Sequence, residues 1–116
     1  MTHSMKLKDN PFNKIASGEK TIELRLYDEK RKRIKVGDRI EFTKISHPDK
    51  KLITEVIALH LFSSFKELYS ALPLEKCGYG MEELKNASFR DMEQYYTLEE
   101  QSQYGVVGIE LCILDK

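Results

Sequence analysis

The segment Gly18–Arg25, GEKTIELR, gathers Lys20, Thr21, Glu23 and Arg25 into one short stretch. Side chains alternate between faces along a β-strand. As a strand, this segment places Thr21, Glu23 and Arg25 on one face and Ile22, Leu24 and Leu26 on the other. Lys20 stands where the strand begins, within reach of Glu23. Two cations around a carboxylate offer donors for a phosphate or carbonyl oxygen, together with an acceptor for a base edge or a base for water. A lysine and a glutamate in proximity also shift each other's ionisation. The alternative role of such a pattern is the wet face of an antiparallel strand.

Other residues offer weaker signals. Lys30-Arg31-Lys32-Arg33 is the densest positive run and, in a loop, would contact phosphates with salt-dependent affinity. Asp28-Glu29 dilutes it. Tyr95, Tyr96 and Tyr104 are candidates to stack on a base, or else serve as core and rim aromatics. Cys77 has no assignable histidine partner and reads as a buried, inert thiol rather than a nucleophile. Gly78-Tyr79-Gly80 lacks the Lys-Ser/Thr ending and the preceding strand of a phosphate loop. His3, His47 and His60 share no ligand spacing with each other or with Cys77 and Cys112, so neither a metal nor a cofactor is expected.

The elements that must position these groups follow from local pattern. His3–Leu7 reads as a short strand. Asn10-Pro11 reads as an N-cap and first helical proline, with Gly18 as the stop. Strands are expected from about Lys20 to Tyr27 and, after the Gly37-Asp38 turn, over RIEFTKI. His47-Pro48-Asp49 reads as a turn before KLITEVIALHLF, the longest β-like run. Ser64 with Glu67, Ser88 with Asp91 and Thr97 with Glu100 have capping-box spacing, which marks a helical block. Val106–Leu114 closes the chain as a strand. Strands close together with helices in one block favour an α+β fold built on a strongly bent or barrel-like sheet.

Composition narrows the class. With 41% hydrophobic and 33% charged residues, the 116-residue chain suits a single soluble domain spanning residues 1–116. It has no apolar run long enough to cross a bilayer and no apolar leader, so a cytoplasmic location is expected, with both thiols reduced. Net charge is zero, but residues 1–53 carry 14 Lys/Arg and 8 Asp/Glu, whereas residues 54–116 carry 5 and 11. Either one face attracts an anion such as a phosphate backbone, or the two halves pack together and partly neutralise each other.

GEKTIELR, IKVGDRIEF and YGVVGIEL together resemble the ASCH domain of the PUA-like superfamily over essentially the whole chain, and the last block resembles its small bacterial members. The matching positions are Gly18, Lys20, Thr21, Glu23 and Arg25, then Gly37, Asp38, Ile40 and Phe42. The resemblance implies a β-pseudo-barrel whose cleft accepts RNA or a modified nucleoside, flanked by the helical insertion. Lys20 and Glu23 would face that cleft with Arg25 in the same cluster, and Gly37-Asp38 would be architectural. Some small members are amidohydrolases that remove the acetyl group from acetylcytidine. Their lysine matches Lys20, but Glu23 stands where they carry a threonine, and Thr21 lies elsewhere on the strand. Their later glutamate has Glu75 and Glu93 as its nearest candidates here.

Three functions follow as expectations. The first is an RNA- or nucleotide-binding module that uses Lys20, Thr21, Glu23, Arg25, Lys30, Arg31 and Tyr96. The second is a small hydrolase of acylated nucleosides or RNA, with Lys20 polarising the oxygen and Glu23 activating water. The third is a protein-interaction domain docking through the acidic helical block.

Overall fold

The computed structural model describes residues 1–115 as a five-stranded mixed sheet flanked by short helices. The strands are β1 (Thr2–Leu7), β2 (Ile22–Leu26), β3 (Arg39–Lys44), β4 (His47–Phe62) and β5 (Val106–Asp115), in the spatial order β1-β3-β4-β5-β2. β1 runs parallel to β3, and the other pairings are antiparallel. The helices are α1 (Asp9–Ser17), α2 (Phe65–Ala71), α3 (Met81–Leu84) and α4 (Leu98–Tyr104), with 3₁₀ turns at Arg31–Arg33, Leu74–Cys77 and Phe89–Gln94. The expected α+β arrangement is present, with α2 to α4 between β4 and β5. No helix among the described residues is long and apolar enough to cross a membrane.

β4 carries the curvature. Its first part pairs with β3 and its second with β5, and the β5 ladder shifts register at Ile53/Thr54 and Val56/Ala58. Such bulges bend a strand and increase its twist. The rolled sheet brings its two edge strands, β1 and β2, towards each other. Arg25 Nη2 on β2 donates to the Lys6 carbonyl of β1 over 3.3 Å, a side-chain tie across the seam.

Several boundaries differ from the sequence expectation, and β2 is Ile22–Leu26 instead of about Lys20 to Tyr27. β4 begins at His47, and the turn is Ile45-Ser46 instead of His47-Pro48-Asp49. The register jumps from Thr43↔Lys51 to Lys44↔His47, so Pro48, Asp49 and Lys50 have no partner in β3. A proline without an N–H is tolerated in a strand at such an irregularity. α1 starts at Asp9 with Lys8 as its N-cap, so Pro11 lies inside the first turn, where its missing donor is not needed. Gly18 ends the helix as expected, with φ 87°.

Two apolar clusters fix the frame. One packs Phe12 and Ile15 of α1 against Ile40, Phe42, Val56 and Ile109 of the sheet. The other packs Phe65 and Leu68 of α2 and Cys77 against Ile22, Leu24 and Val106. Each fully buried side chain of this size contributes about 1.5–3 kcal/mol. Buried Gln101 accepts a hydrogen bond from the Phe65 amide at 3.1 Å, which satisfies a free donor at the start of α2. The helical block is thereby held over β2 and β5, beside the seam.

Candidate functional site

The seam opens into a cleft of about 510 Å³. Lys6, Leu7 and Lys8 at the end of β1 line it, as do Asn10, Pro11 and Lys14 of α1. Lys20, Glu23, Leu24 and Arg25 come from the GEKTIELR segment. Tyr69, Cys77, Gly78, Tyr79, Glu83, Asp91, Tyr95 and Tyr96 come from the helical block. A volume of this order suits a small-molecule or nucleotide ligand.

Glu23 is the centre of the cluster. It is only 4% exposed, although it is charged. Lys20 Nζ lies 2.7 Å from its Oε1, and Arg25 Nε donates to its Oε2 at 2.8 Å. Burial alone would raise the carboxyl pKa, but Lys20 and Arg25 together outweigh it and hold Glu23 below its ordinary value. Burial likewise opposes the charge of Arg25, and Glu23 more than offsets it, so that guanidinium is raised. Glu23 is therefore a stable anion whose two oxygens each carry one cation and keep a lone pair for a ligand donor.

Backbone contacts aim Lys20. Its amide donates to the Lys14 carbonyl at the end of α1, and the Thr21 amide donates to the Lys76 carbonyl. Gly78, at φ 107°, supplies the surface on which the Lys20 alkyl stem lies. Thr21 itself precedes β2 and lines a neighbouring depression with Ile57, Lys76 and Glu110, which shares Lys20 with the cleft but not Thr21.

The helical block adds a polar wall. Tyr79 donates to Asp91 Oδ2 at 2.7 Å, and the Tyr69 hydroxyl lies 2.6 Å from that of Tyr79. Burial pushes the Tyr69 phenol up to about 12 and raises Tyr79 further, so both remain neutral donors at physiological pH. Asp91 also caps the Ser88 amide at 3.2 Å, which completes the box expected there. Lys14 Nζ donates to Glu83 Oε1 at 2.9 Å and to the Gly78 carbonyl at 2.6 Å, joining α1 to the block. The hydrogen bond from Lys14, with a second from the Gly80 amide, depresses the Glu83 carboxyl. Tyr96 stacks on Phe65 at 5.7 Å between centroids, while Tyr95 is half exposed with Lys8 Nζ 5.8 Å from its ring centre. Tyr104 packs with the second core cluster instead of lining the cleft.

Five cations and three carboxylates line the cleft. Glu23 serves Lys20 and Arg25, Glu83 serves Lys14, and Lys6 and Lys8 have no carboxylate partner among the described residues. All five cations belong to the basic half of the sequence, while Glu83 and Asp91 belong to the acidic half. The two halves thus meet across the cleft, neutralise part of the charge and leave a positive excess.

Lys30 and Arg31 lie outside this lining. Lys30 is exposed, and Arg31 is paired with Asp28 at 3.3 Å. The buried Nε of Arg31 has no hydrogen-bond partner among the described residues. Glu75 and Glu93, the later glutamates suggested by resemblance, are exposed and absent from the cleft lining; Glu83 and Asp91 occupy it instead. Burial pushes the Cys77 thiol up to about 11, which agrees with an inert role. Among the described residues no group of three or more His, Cys, Asp or Glu is placed to hold a metal.

A mixed sheet rolled into a half-barrel, with short helices beside the seam, is the α+β PUA-like pseudo-barrel. Residues 5–114 match the model of the ASCH domain, and the chain belongs to that family. The hypothetical protein PH0355, known from a crystal structure, is 34% identical with a TM-score of 0.80, the match covering 98% of this chain and 100% of that one. Protein PF0455 from Pyrococcus furiosus, solved by solution NMR, is also 34% identical, with a TM-score of 0.77 and full coverage of both chains. The crystal structure of ASCH from Zymomonas mobilis has a TM-score of 0.61 at 16% identity over 96% of this chain and 66% of its own, a likeness of fold. Comparison with the curated proteins finds no match.

Proposed function

We propose that the seam cleft binds a nucleotide unit of RNA or a related modified nucleotide, in the cytoplasm. The observation that carries this reading is the buried Glu23 carboxylate, held by Lys20 and Arg25 at the meeting of the two edge strands. Its free lone pairs accept from a base amino or imino group, and the ammonium beside it donates to a base carbonyl. Tyr95 and Tyr96 offer aromatic faces. Lys6 and Lys8 supply cations for the phosphate, so binding is salt-dependent.

The same geometry weighs against Glu23 as a general base. An efficient base has a pKa near the working pH, and Glu23 is shifted the other way, with both oxygens engaged by cations. Binding is therefore ranked above hydrolysis. Anisotropy titrations of a short labelled RNA at fixed salt test it. Lys20→Ala and Arg25→Ala are expected to weaken binding about tenfold or more. Equal affinity in all three proteins would remove the proposal.

A further inference from the structure

We infer that Glu83 is an internal stand-in for a ligand phosphate: its carboxylate occupies the anion position on Lys14, and a phosphate entering the cleft displaces it. The inference rests on the reading of the cleft as a nucleotide site and names the group that a ligand must exchange to enter it.

Three observations carry it. First, Lys14 lines the cleft and is mostly buried, at 19% exposure, yet its anion partner is a residue 53% exposed on the four-residue helix α3. Next to Glu83, Met81 is 84% exposed and Glu82 is also exposed, so little packing fixes α3. Half-exposed ion pairs contribute only about 0.2–1 kcal/mol, so this one is easily exchanged. Second, Lys14 Nζ also donates to the Gly78 carbonyl at 2.6 Å. That bond keeps the ammonium aimed when the carboxylate leaves. Third, Lys6 and Lys8 line the same cleft without carboxylate partners among the described residues. A dianionic phosphate in the cleft has them as further cations, whereas Glu83 forms its ion pair with Lys14 and with neither of them. The exchange favours ligands carrying phosphate over neutral nucleosides.

Glu83→Gln isolates the charge. Glu83 Oε1 accepts from the Gly80 amide at 2.9 Å as the N3 member of the α3 cap, and glutamine fills the same role. NMR titrations with inorganic phosphate, a nucleoside monophosphate and the parent nucleoside would follow the amides of Gly78 and Gly80. Wild type, Glu83→Gln, Lys14→Gln and the double variant would be compared, with thermal unfolding as the check on folding. Glu83→Gln is expected to bind phosphate and the monophosphate about three- to tenfold more tightly, with the nucleoside unchanged. The gain should vanish in the Lys14→Gln background. An unchanged or weaker phosphate affinity in Glu83→Gln overturns the inference, as does the absence of phosphate-induced shifts at these amides in every variant. A monophosphate that binds no better than phosphate itself counts against the nucleotide reading and leaves the exchange at Lys14 standing.

Discussion

A β-carbon placed on Gly78 would stand 3.1 Å from Lys20 Cδ, so the alkyl stem of Lys20 lies against the bare face of that glycine. Gly78 also has a φ of 107°, a conformation that L side chains rarely adopt. The 3₁₀ turn that ends at Cys77 therefore delivers a mould for the ammonium beside Glu23. Gly78→Ala is expected to lose about 1–2 kcal/mol of stability through strain. It should also weaken ligand binding several-fold beyond that, because Lys20 is pushed off its line to Glu23. Urea unfolding and RNA titration measure the two effects separately; full affinity in a folded Gly78→Ala protein would show that the mould does not matter.

Glu23→Gln leaves Lys20 and Arg25 facing each other without their shared anion. Breaking one member of a buried ion cluster costs about 3 kcal/mol, and that loss is expected in urea unfolding at pH 7. The sign of its pH dependence is fixed by the depressed carboxyl. The contribution of Glu23 is complete above its ordinary value of 4.5 and is lost as pH falls through the lower folded value. Wild type and Glu23→Gln should thus converge in acid. A constant difference down to strongly acidic pH would contradict the ion-pair account.

Asp38 makes the architectural part of the fold testable. It accepts from His3 Nε2 at 2.8 Å and from the Lys35 amide at 3.0 Å, pinning β1 and the turn before β3. Those bonds, the one to His3 first, hold its carboxyl at about 2, below the ordinary 3.8. Asp38→Asn should be less stable than wild type at neutral pH. The deficit should stay full above about pH 4 and shrink as pH falls towards 2. A deficit that grows in acid would mean that another group carries the effect.

The cysteines give a direct check of burial. Cys77 is buried with its thiol raised to about 11, while Cys112 is exposed. Iodoacetamide at pH 8 should label Cys112 alone in the native protein and both thiols after unfolding, as mass spectrometry of the peptides would show. Rapid native labelling of Cys77 would refute the packing around the cleft.

Much of this architecture is legible in local sequence. GEKTIELR alternates as a strand must, Gly18 and Gly37 mark turns that need positive φ, and the Ser64, Ser88 and Thr97 caps stand where the spacing puts them. The Lys20, Glu23 and Arg25 cluster was legible for the same reason, because its members lie within one strand and its approach. Thr21 falls outside the cluster because β2 begins only at Ile22, so strict alternation does not extend to it. The wall formed by Tyr69, Tyr79, Glu83 and Asp91 was not legible. Its residues come from α2, α3, a loop and a 3₁₀ turn brought together only by tertiary packing, and no period in the sequence records it. Glu75 and Glu93 have the right chemistry and the wrong orientation, since 3₁₀ turns set side-chain direction by details that composition does not carry.

If the proposed function holds, the ligand binds at the Glu23-centred seam. Amide chemical-shift mapping with a short single-stranded RNA at low salt tests it most directly. Shifts are expected to concentrate on Lys20, Glu23, Arg25, Gly78 and Tyr96 and to fade as salt rises. Shifts confined to Arg31–Arg33 or to α4, with the seam untouched at saturation, would contradict it.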